Sequence, residues 1–251
     1  MTTIYWLPSL HAEGIRQMAI DEALLNLTAE DKLPRFRFYT WVRPTISLGY
    51  FQDFAGFRST FPHLCQLDLV RRLTGGGAIL HDREITYALI MPENTSLYQE
   101  GTMAAYIMVH EAIANALKKL GVTLELRPKT TNYMRIKDEP EFCFARPCPT
   151  DLICKAGKMV GSAQRRLPGA FLQHGSIMLE NRFPDQPMAP LSDLTKSMPE
   201  ATELEQMIVD ELKAKMDMKF ERRNFIDAEL SLAEKLTDKY AGEKWTIHRE
   251  K

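Results

Sequence analysis

The sequence predicts an α+β fold, a mostly antiparallel mixed sheet flanked by helices. Three observations carry that reading. Strand-like runs come in hairpin-sized groups and not in strict alternation with helices. The helical segments are few, and each has one apolar face to bury. A run of three glycines, Gly75-Gly76-Gly77, lies between apolar β-type runs, where it bends a sheet and opens no helix.

Residues 10–28 keep helical spacing, with Ile15, Met18, Ala19 and Ala23 on one face and Glu22 on the other. Residues 35–41 alternate Phe36, Phe38 and Thr40 with basic or aromatic neighbours, which predicts a half-buried strand. Residues 45–48 form a short apolar strand after Pro44, ended by Gly49. Residues 67–73, 78–81 and 85–91 supply three more strands around the glycines. Tyr106, Val109, His110, Ile113, Leu117 and Leu120 mark a helix, and Gly121 stands where a left-handed closing glycine belongs. Val122, Leu124 and Leu126 then alternate as a strand.

Residues 128–150 read as irregular, with Pro128, Pro140, Pro147 and Pro149. From Asp151 the pattern is a meander: strand to Lys155, turn at Ala156-Gly157, strand to Arg166, turn at Pro168-Gly169, strand to Leu179. Residues 181–199 are the nearest thing to a linker. Two helices follow. Thr202-x-x-Glu205 reads as a capping box for the first, and Leu232, Ala233, Leu236 and Tyr240 mark the buried face of the second, closed by Gly242. Residues 1–251 are therefore expected to make one domain, with the helices of about 200–242 packed back onto it.

A formal net charge of −1, from 32 basic and 33 acidic residues, argues against nucleic acid or an anionic membrane as partner. The first residues lack a signal peptide's basic and apolar regions, and no apolar run approaches the ~18 residues that span a bilayer. Four cysteines, Cys65, Cys143, Cys148 and Cys154, fit neither a disulfide scaffold nor a zinc spacing. The expectation is a cytoplasmic protein with free thiols and no metal.

Chemistry concentrates in two places. Arg71 and Arg72 precede the glycines, and His81-Asp82 follow. Glycine backbone can approach a ligand closely or take φ > 0. The pattern is neither a dinucleotide fingerprint nor a Walker A loop. Its plainer competitor is a glycine-bent hairpin with a solvated arginine pair. The second place is Lys158-Met159-Val160-Gly161-Ser162-Ala163-Gln164, with Gln173-His174-Gly175-Ser176 on the next strand. Small residues there clear space beside the sheet, and Lys158 brings a cation to it; Lys155 is its solvated competitor. Cys143, between Phe142 and Phe144, is either an inert buried cysteine or, if it folds over Lys158, a nucleophile activated by a nearby ammonium. Cys148 is its rival. Cys154 shares a strand face with Leu152, and Cys65 reads as filler. His81 and His174 are candidate bases, but no Ser-His-Asp order stands out. His81 and Asp82 are sequence neighbours and face opposite ways on a strand.

Four blocks, in order, resemble the biotin/lipoate protein ligase superfamily in its lipoate ligase and octanoyltransferase branch. They are residues 18–25 (Met-Ala-Ile-Asp-Glu-Ala-Leu-Leu), residues 41–52 (Trp-Val-Arg-Pro-Thr-Ile-Ser-Leu-Gly-Tyr-Phe-Gln), residues 71–82, and residues 158–164 through His174-Gly175. Cys143-Phe144-Ala145-Arg146-Pro147-Cys148 is similar to the Cys-Phe-x-x-Pro-Ser loop of its cysteine-type transferases, with Cys148 where the family has serine and Gly77 where many carry arginine. The resemblance implies a lipoate ligase/biotin ligase catalytic-domain fold. It also implies a tunnel for an octanoyl or lipoyl chain, with Trp41, Tyr39, Ile79 and Ile46 as wall candidates.

On that resemblance Cys143 and Lys158 are catalytic. Arg72, Thr74, Gly75, Gly76, Gly77, His81, Trp41, Gly161, Ser162, Ala163, His174 and Gly175 bind substrate. The implied activity moves octanoyl from octanoyl-acyl carrier protein, through a cysteine thioester, to a lysine of a lipoyl domain. The acceptor would be glycine cleavage H protein or a 2-oxo acid dehydrogenase acyltransferase subunit. No cofactor is implied. An ATP- and magnesium-dependent lipoate ligase, or an amidotransferase between lipoyl domains, is the alternative. His81 or a water would accept the amine's proton.

Overall fold

Two-residue alternation decides which side chains each strand buries, and helices cover the faces that result. The computed structural model describes residues 2–128, 140–216 and 218–250. In chain order its elements are β1 (Thr2–Trp6), β2 (Leu10–Ala12), α1 (Gly14–Asp31), β3 (Arg35–Trp41), β4 (Thr45–Leu48), α2 (Phe54–Thr60), β5 (Asp68–Arg71), β6 (Ile79–His81) and β7 (Glu84–Pro92). There follow α3 (Ser96–Gln99), α4 (Thr102–Lys118), β8 (Glu125–Leu126), β9 (Leu152–Cys154), β10 (Gly157–Leu167), β11 (Ala170–Met178), α5 (Ala201–Lys215), β12 (Met218–Arg222), α6 (Asp227–Ala241) and α7 (Glu243–Thr246).

The large sheet runs β12-β1-β3-β7-β11-β10-β9-β8, with β2 beside β3. Its centre, β3 through β9, is antiparallel, and its β12–β1–β3 edge is parallel. A small sheet, β5-β4-β6, stands against it. Along β3 the alternation sends Phe36 and Phe38 into a core closed by α4 and α5 (Ala112, Ile113, Leu204, Ile208). It sends Tyr39 and Trp41 to the opposite face, against Met18 and Leu24 of α1; Ala233 and Tyr240 of α6 join that cluster. The fold is thus the mixed α+β sheet with flanking helices that the hairpin grouping predicts.

Several elements differ from expectation. Residues 10–12 are strand, because they pair in parallel with Tyr39 to Trp41, and the helix runs from Gly14 to a left-handed Lys32 (φ 60°). β3 is buried at every position but Thr40, and is not half-buried as its alternation suggests. Arg35 and Arg37 have 0% exposure because each meets carboxylates: Arg37 pairs with Asp21 at 2.6 Å, and Arg35 with Glu229 at 2.6 Å and Asp31 at 2.5 Å. Glu22 is likewise drawn in by Lys239 and Tyr240 of α6. Val122 and Leu124 bury their side chains in the core without joining a ladder, leaving only Glu125–Leu126 as strand. α5 starts behind Glu200 with no side-chain cap, and Glu205 turns to Ser9, so the expected capping box does not form. Within the region expected to be irregular, residues 129–139 lie outside the described residues.

Burial alone would raise the Glu229 carboxyl, but hydrogen bonds from Arg223 and Arg35 outweigh it and hold it below the ordinary glutamate value. Its stabilisation is therefore complete above the unfolded pKa of about 4.3 and is lost as pH falls through the lower folded value. Glu229→Ala strands the buried Arg35 guanidinium and is expected to cost about 3–5 kcal/mol, read from urea unfolding midpoints at neutral pH. A loss below about 1 kcal/mol would mean that Asp31 alone suffices.

Candidate active site

A β-bulge aims the lysine. Lys158 pairs with Ile153 and Val160 with Leu152, so Met159 is an extra residue in β10. Bulges bend the strand and re-aim side chains. Lys158 is accordingly carried across Gly161, where an added Cβ would lie 2.8 Å from its Nζ. Lys158 is 4% exposed. It meets Asp151 Oδ1 at 2.9 Å, the Cys143 carbonyl at 3.2 Å and Cys143 Sγ at 4.0 Å. Burial works against the charge, but the Cys143 sulfur and Asp151 outweigh it, and the Lys158 pKa stands above the ordinary lysine value.

The cysteine is held by the glycine loop. Cys143 opens a short 3-10 turn (Cys143–Ala145), its N–H donates to Ala78 O at 2.8 Å, and Ala78 N–H donates to Glu141 O at 2.7 Å. Gly77 makes room for this: a Cβ there would sit 2.9 Å from Cys143 N. Gly76 takes φ 96°, and its Cβ direction points at Sγ, 3.6 Å away. Arg72 braces the loop by donating to Gly75 O (2.8 Å), Gly77 O (2.7 Å), Ser47 O (2.8 Å) and Thr74 Oγ1 (3.2 Å). Arg71 binds Gly49 O, Gln52 O and Thr246 O, fastening the chain's end beneath the same loop. Cys148 is exposed as a residue, yet its sulfur is crowded enough that burial, with Asp151 beside it, pushes the thiol up to about 11.

Between the sheets lies a narrow slot with mostly apolar walls. Of the residues singled out from sequence, Trp41, Tyr39, Arg72, Ile79, His81, Cys143, Gly161, Ser162, Ala163, His174 and Gly175 line it. Thr74 and the three glycines stand behind the wall and hold Arg72, His174 and Cys143. Ile46 is not a wall residue: it joins Leu48 and Phe57 in the core under the small sheet, and its neighbour Ser47 faces the slot instead.

Each slot histidine sits between a hydroxyl and a carboxylate. His174 joins Thr74 Oγ1 (2.7 Å) and Asp21 Oδ2 (2.8 Å). His81 joins Ser47 Oγ (2.7 Å) and Glu84 Oε1 (2.8 Å), and stacks on Trp41 at 3.8 Å. Burial drives the His81 pKa below its ordinary value against the pull of Glu84, so the ring rests neutral near pH 7. Asp82, the sequence neighbour, binds Arg182 and not His81. Sequence reasoning missed Asp151, Ser47, Asp21 and Glu84. Only Glu84, three residues past His81 across a chain turn, left a local signal. His110, at a buried position of α4, bridges Thr150 O (2.5 Å) and Ser162 Oγ (2.6 Å) behind the slot. Among the described residues no cluster of three or more His, Cys, Asp or Glu side chains could hold a metal ion, and no helix is long and apolar enough to cross a membrane.

Comparison with known proteins follows the same lines. Residues 13–221 match the family model of the lipoyl protein ligase A/B catalytic domain. The octanoyltransferase LipM of Oceanobacillus iheyensis is 35% identical over 85% of this chain and 72% of its own. That of Macrococcus caseolyticus is 32% identical over 92% and 94%. In fold, the chain is similar to a lipoate-protein ligase A bound with ATP (TM-score 0.75, 22% identity, 98% and 99% coverage). It is also similar to a bipartite lipoate protein ligase from Thermoplasma acidophilum (TM-score 0.72, 20% identity, 98% and 96% coverage).

Two measurements probe the site itself. Gly161→Ala pushes the ammonium off the sulfur; it should cost about 1–3 kcal/mol in urea and slow alkylation of Cys143 by iodoacetamide at neutral pH. Unchanged labelling would show that Lys158 does not act on the thiol. His110, lowered to about 4 by burial and by Lys158, binds a proton in the unfolded chain before it does in the folded one. Stability should therefore fall as pH drops from about 6.5 to about 4, by about 3 kcal/mol from this residue. His110→Gln should flatten that part of a stability-against-pH profile.

Proposed function

The chain belongs to the lipoyl protein ligase A/B catalytic-domain family, and on that premise we propose that it is an octanoyltransferase working through a thioester on Cys143. It is an acyltransferase that acts on lipoyl domains. Glycine cleavage H protein or a 2-oxo acid dehydrogenase acyltransferase subunit is the proposed acceptor, octanoyl-acyl carrier protein the proposed donor, and a reducing cytoplasm the proposed location. The observation that carries this reading is the buried ammonium of Lys158, 4.0 Å from Cys143 Sγ at the slot.

In the first half-reaction Cys143 sulfur attacks the donor's carbonyl carbon. The new C–S bond forms as the donor C–S bond breaks, and the donor sulfur leaves as thiolate and takes its proton from solvent. Lys158 faces the charge on sulfur and on the carbonyl oxygen. The N–H groups of Gly76, whose Cβ direction points at the sulfur, and of Gly77 donate to no described group and are the backbone donors this reading assigns to the oxyanion. In the second half-reaction a lipoyl-domain lysine amine attacks the acyl-enzyme. The C–N bond forms, the bond to Sγ breaks, and the amine gives up a proton. Exchange of one thioester for another is nearly thermoneutral and amide formation is downhill from it, so no nucleotide or metal is called for. The slot offers the chain apolar walls at Met18, Trp41 and Ile79, and burial at ~0.8 kcal/mol per CH₂ supplies several kcal/mol of binding.

Intact mass after incubation with octanoyl-acyl carrier protein tests this directly. The expected result is a single octanoyl adduct, absent from Cys143→Ala, retained by Cys148→Ser and discharged by an apo lipoyl domain without ATP. Turnover that needs ATP and free acid, and ignores Cys143→Ala, would replace this reading by the ligase.

A further inference from the structure

The second half-reaction releases a proton that neither Cys143 nor Lys158 is placed to take, since Lys158 is already an ammonium and Cys143 leaves as thiolate. Two histidines line the slot, and charge balance separates them. Asp21, behind His174, already holds Arg37 at 2.6 Å and accepts from Tyr39 at 3.0 Å. Its charge is spent on tying α1 to β3. Glu84, behind His81, has no lysine or arginine partner among the described residues. Its Oε1 accepts from His81, Thr86 Oγ1 (2.6 Å) and Ser176 Oγ (2.7 Å), while Oε2 is buried with no hydrogen-bond partner. An uncompensated buried carboxylate is costly, and a cation forming on His81 would relieve it.

Donor direction fixes the proton positions. Arg72 Nη1 donates to Ser47 Oγ at 3.1 Å and can accept nothing in return. Ser47 O–H is therefore left to donate to His81 Nε2, and His81 Nδ1–H donates to Glu84. The imidazole is thus held with Nε2 as the basic nitrogen, joined to the slot through one hydroxyl. The indole of Trp41, stacked at 14° on the ring, adds a π face that favours imidazolium over imidazole.

We propose that Ser47, His81 and Glu84 form the base of the transfer step, a reading that rests on the thioester mechanism above. As the C–N bond forms and the electron pair of the breaking C–S bond returns to Sγ, the amine's proton passes to Ser47 Oγ. Ser47's own proton passes to His81 Nε2. Glu84 is a positioning residue: it acts through His81 by fixing the tautomer and stabilising the imidazolium. The proton leaves to solvent with product. The charged or titratable groups facing His81 are Glu84 from β7, Arg72 from the segment after β5 and His174 from β11.

The test separates the half-reactions. Wild type, Glu84→Gln and Ser47→Ala are acylated at Cys143, and discharge to an apo lipoyl domain is followed in single turnover across pH. Discharge should fall about 10²–10⁴-fold in both variants, with acylation slowed far less. In Glu84→Gln the acid limb of the discharge profile should move to lower pH, because imidazolium loses its anion. Acylation reports that each variant is folded, and Ser47→Ala keeps the Glu84–His81 pair if Glu84→Gln does not fold. Equal loss of acylation and discharge, unchanged discharge, or an unmoved acid limb overturns the proposal. Absence of any thioester on wild type would remove the covalent mechanism before a variant is made, so the two failures are told apart.

Discussion

A charge kept dry has to be matched, and the Lys158 ammonium is the charge this site is built around. Asp151 supplies one counter-charge at 2.9 Å, and Cys143 supplies the other side of the contact. Each is buried, so losing either partner would leave an ion in low dielectric at a cost of several kcal/mol. Asp151 is itself secured: its second oxygen accepts from Cys148 N–H at 2.8 Å and lies 3.6 Å from Arg127. The preceding residue, Thr150, is forced to φ 71°, a region β-branched residues rarely enter. Backbone held in that way persists only where surrounding contacts over-determine it. Here they are the His110 bond to Thr150 O and the ion pair one residue on.

Bringing lysine and cysteine together from different parts of the chain requires removing atoms. Gly161 gives the Lys158 stem its path, Gly77 lets the Cys143 turn lie on the loop, and Gly175 clears the space into which Ser162 and Tyr87 pack. Arg72 then replaces the missing side chains as a brace, holding two glycine carbonyls that no side chain of their own could fix. The loop is thereby permissive in shape and rigid in position, a combination that glycine alone does not provide.

What could be read from sequence divides along the same line. β3 and β4 were legible to the residue, because alternation and flanking Gly and Pro act locally. The meander around Lys158 was legible through its two turns. The parallel edge of β1 and β12 was not: its register joins residues more than two hundred apart and leaves no local period. Burial of Arg35 and Arg37 was hidden for a like reason, since the alternation of β3 gives the face and the acids that neutralise it lie on α1 and α6. Lys158 stood out by the small residues that follow it, and Cys143 as a thiol between two phenylalanines in a Pro-rich loop. Asp151, Ser47 and Glu84 did not, because an acid or a hydroxyl acquires its role only from what folds against it. Ile46 was misplaced by one residue of alternation, which on a strand means the opposite face.

The remaining buried charges sort by whether they are cancelled. Asp21 with Arg37, and Glu229 and Asp31 with Arg35, close on themselves and serve the scaffold. Arg71, Arg72 and Glu84 do not, and of these Arg71 is taken up by the carbonyls of Gly49, Gln52 and Thr246 and does not line the slot. Arg72 is buried among carbonyls and hydroxyls with no carboxylate in hydrogen-bond contact, and Glu84 is buried among hydroxyls and an imidazole with no cation in contact. They stand at opposite ends of the Ser47–His81 chain, positive toward the glycine loop and negative beneath the slot. Transfer of an acyl group from sulfur to an amine separates charge in that same sense: negative on the carbonyl oxygen and the departing sulfur, positive where the amine's proton goes. A field already oriented before substrate arrives costs no reorganisation when the charge develops. That is a physical reason for a fold to keep one buried arginine and one buried glutamate apart when joining them would stabilise it.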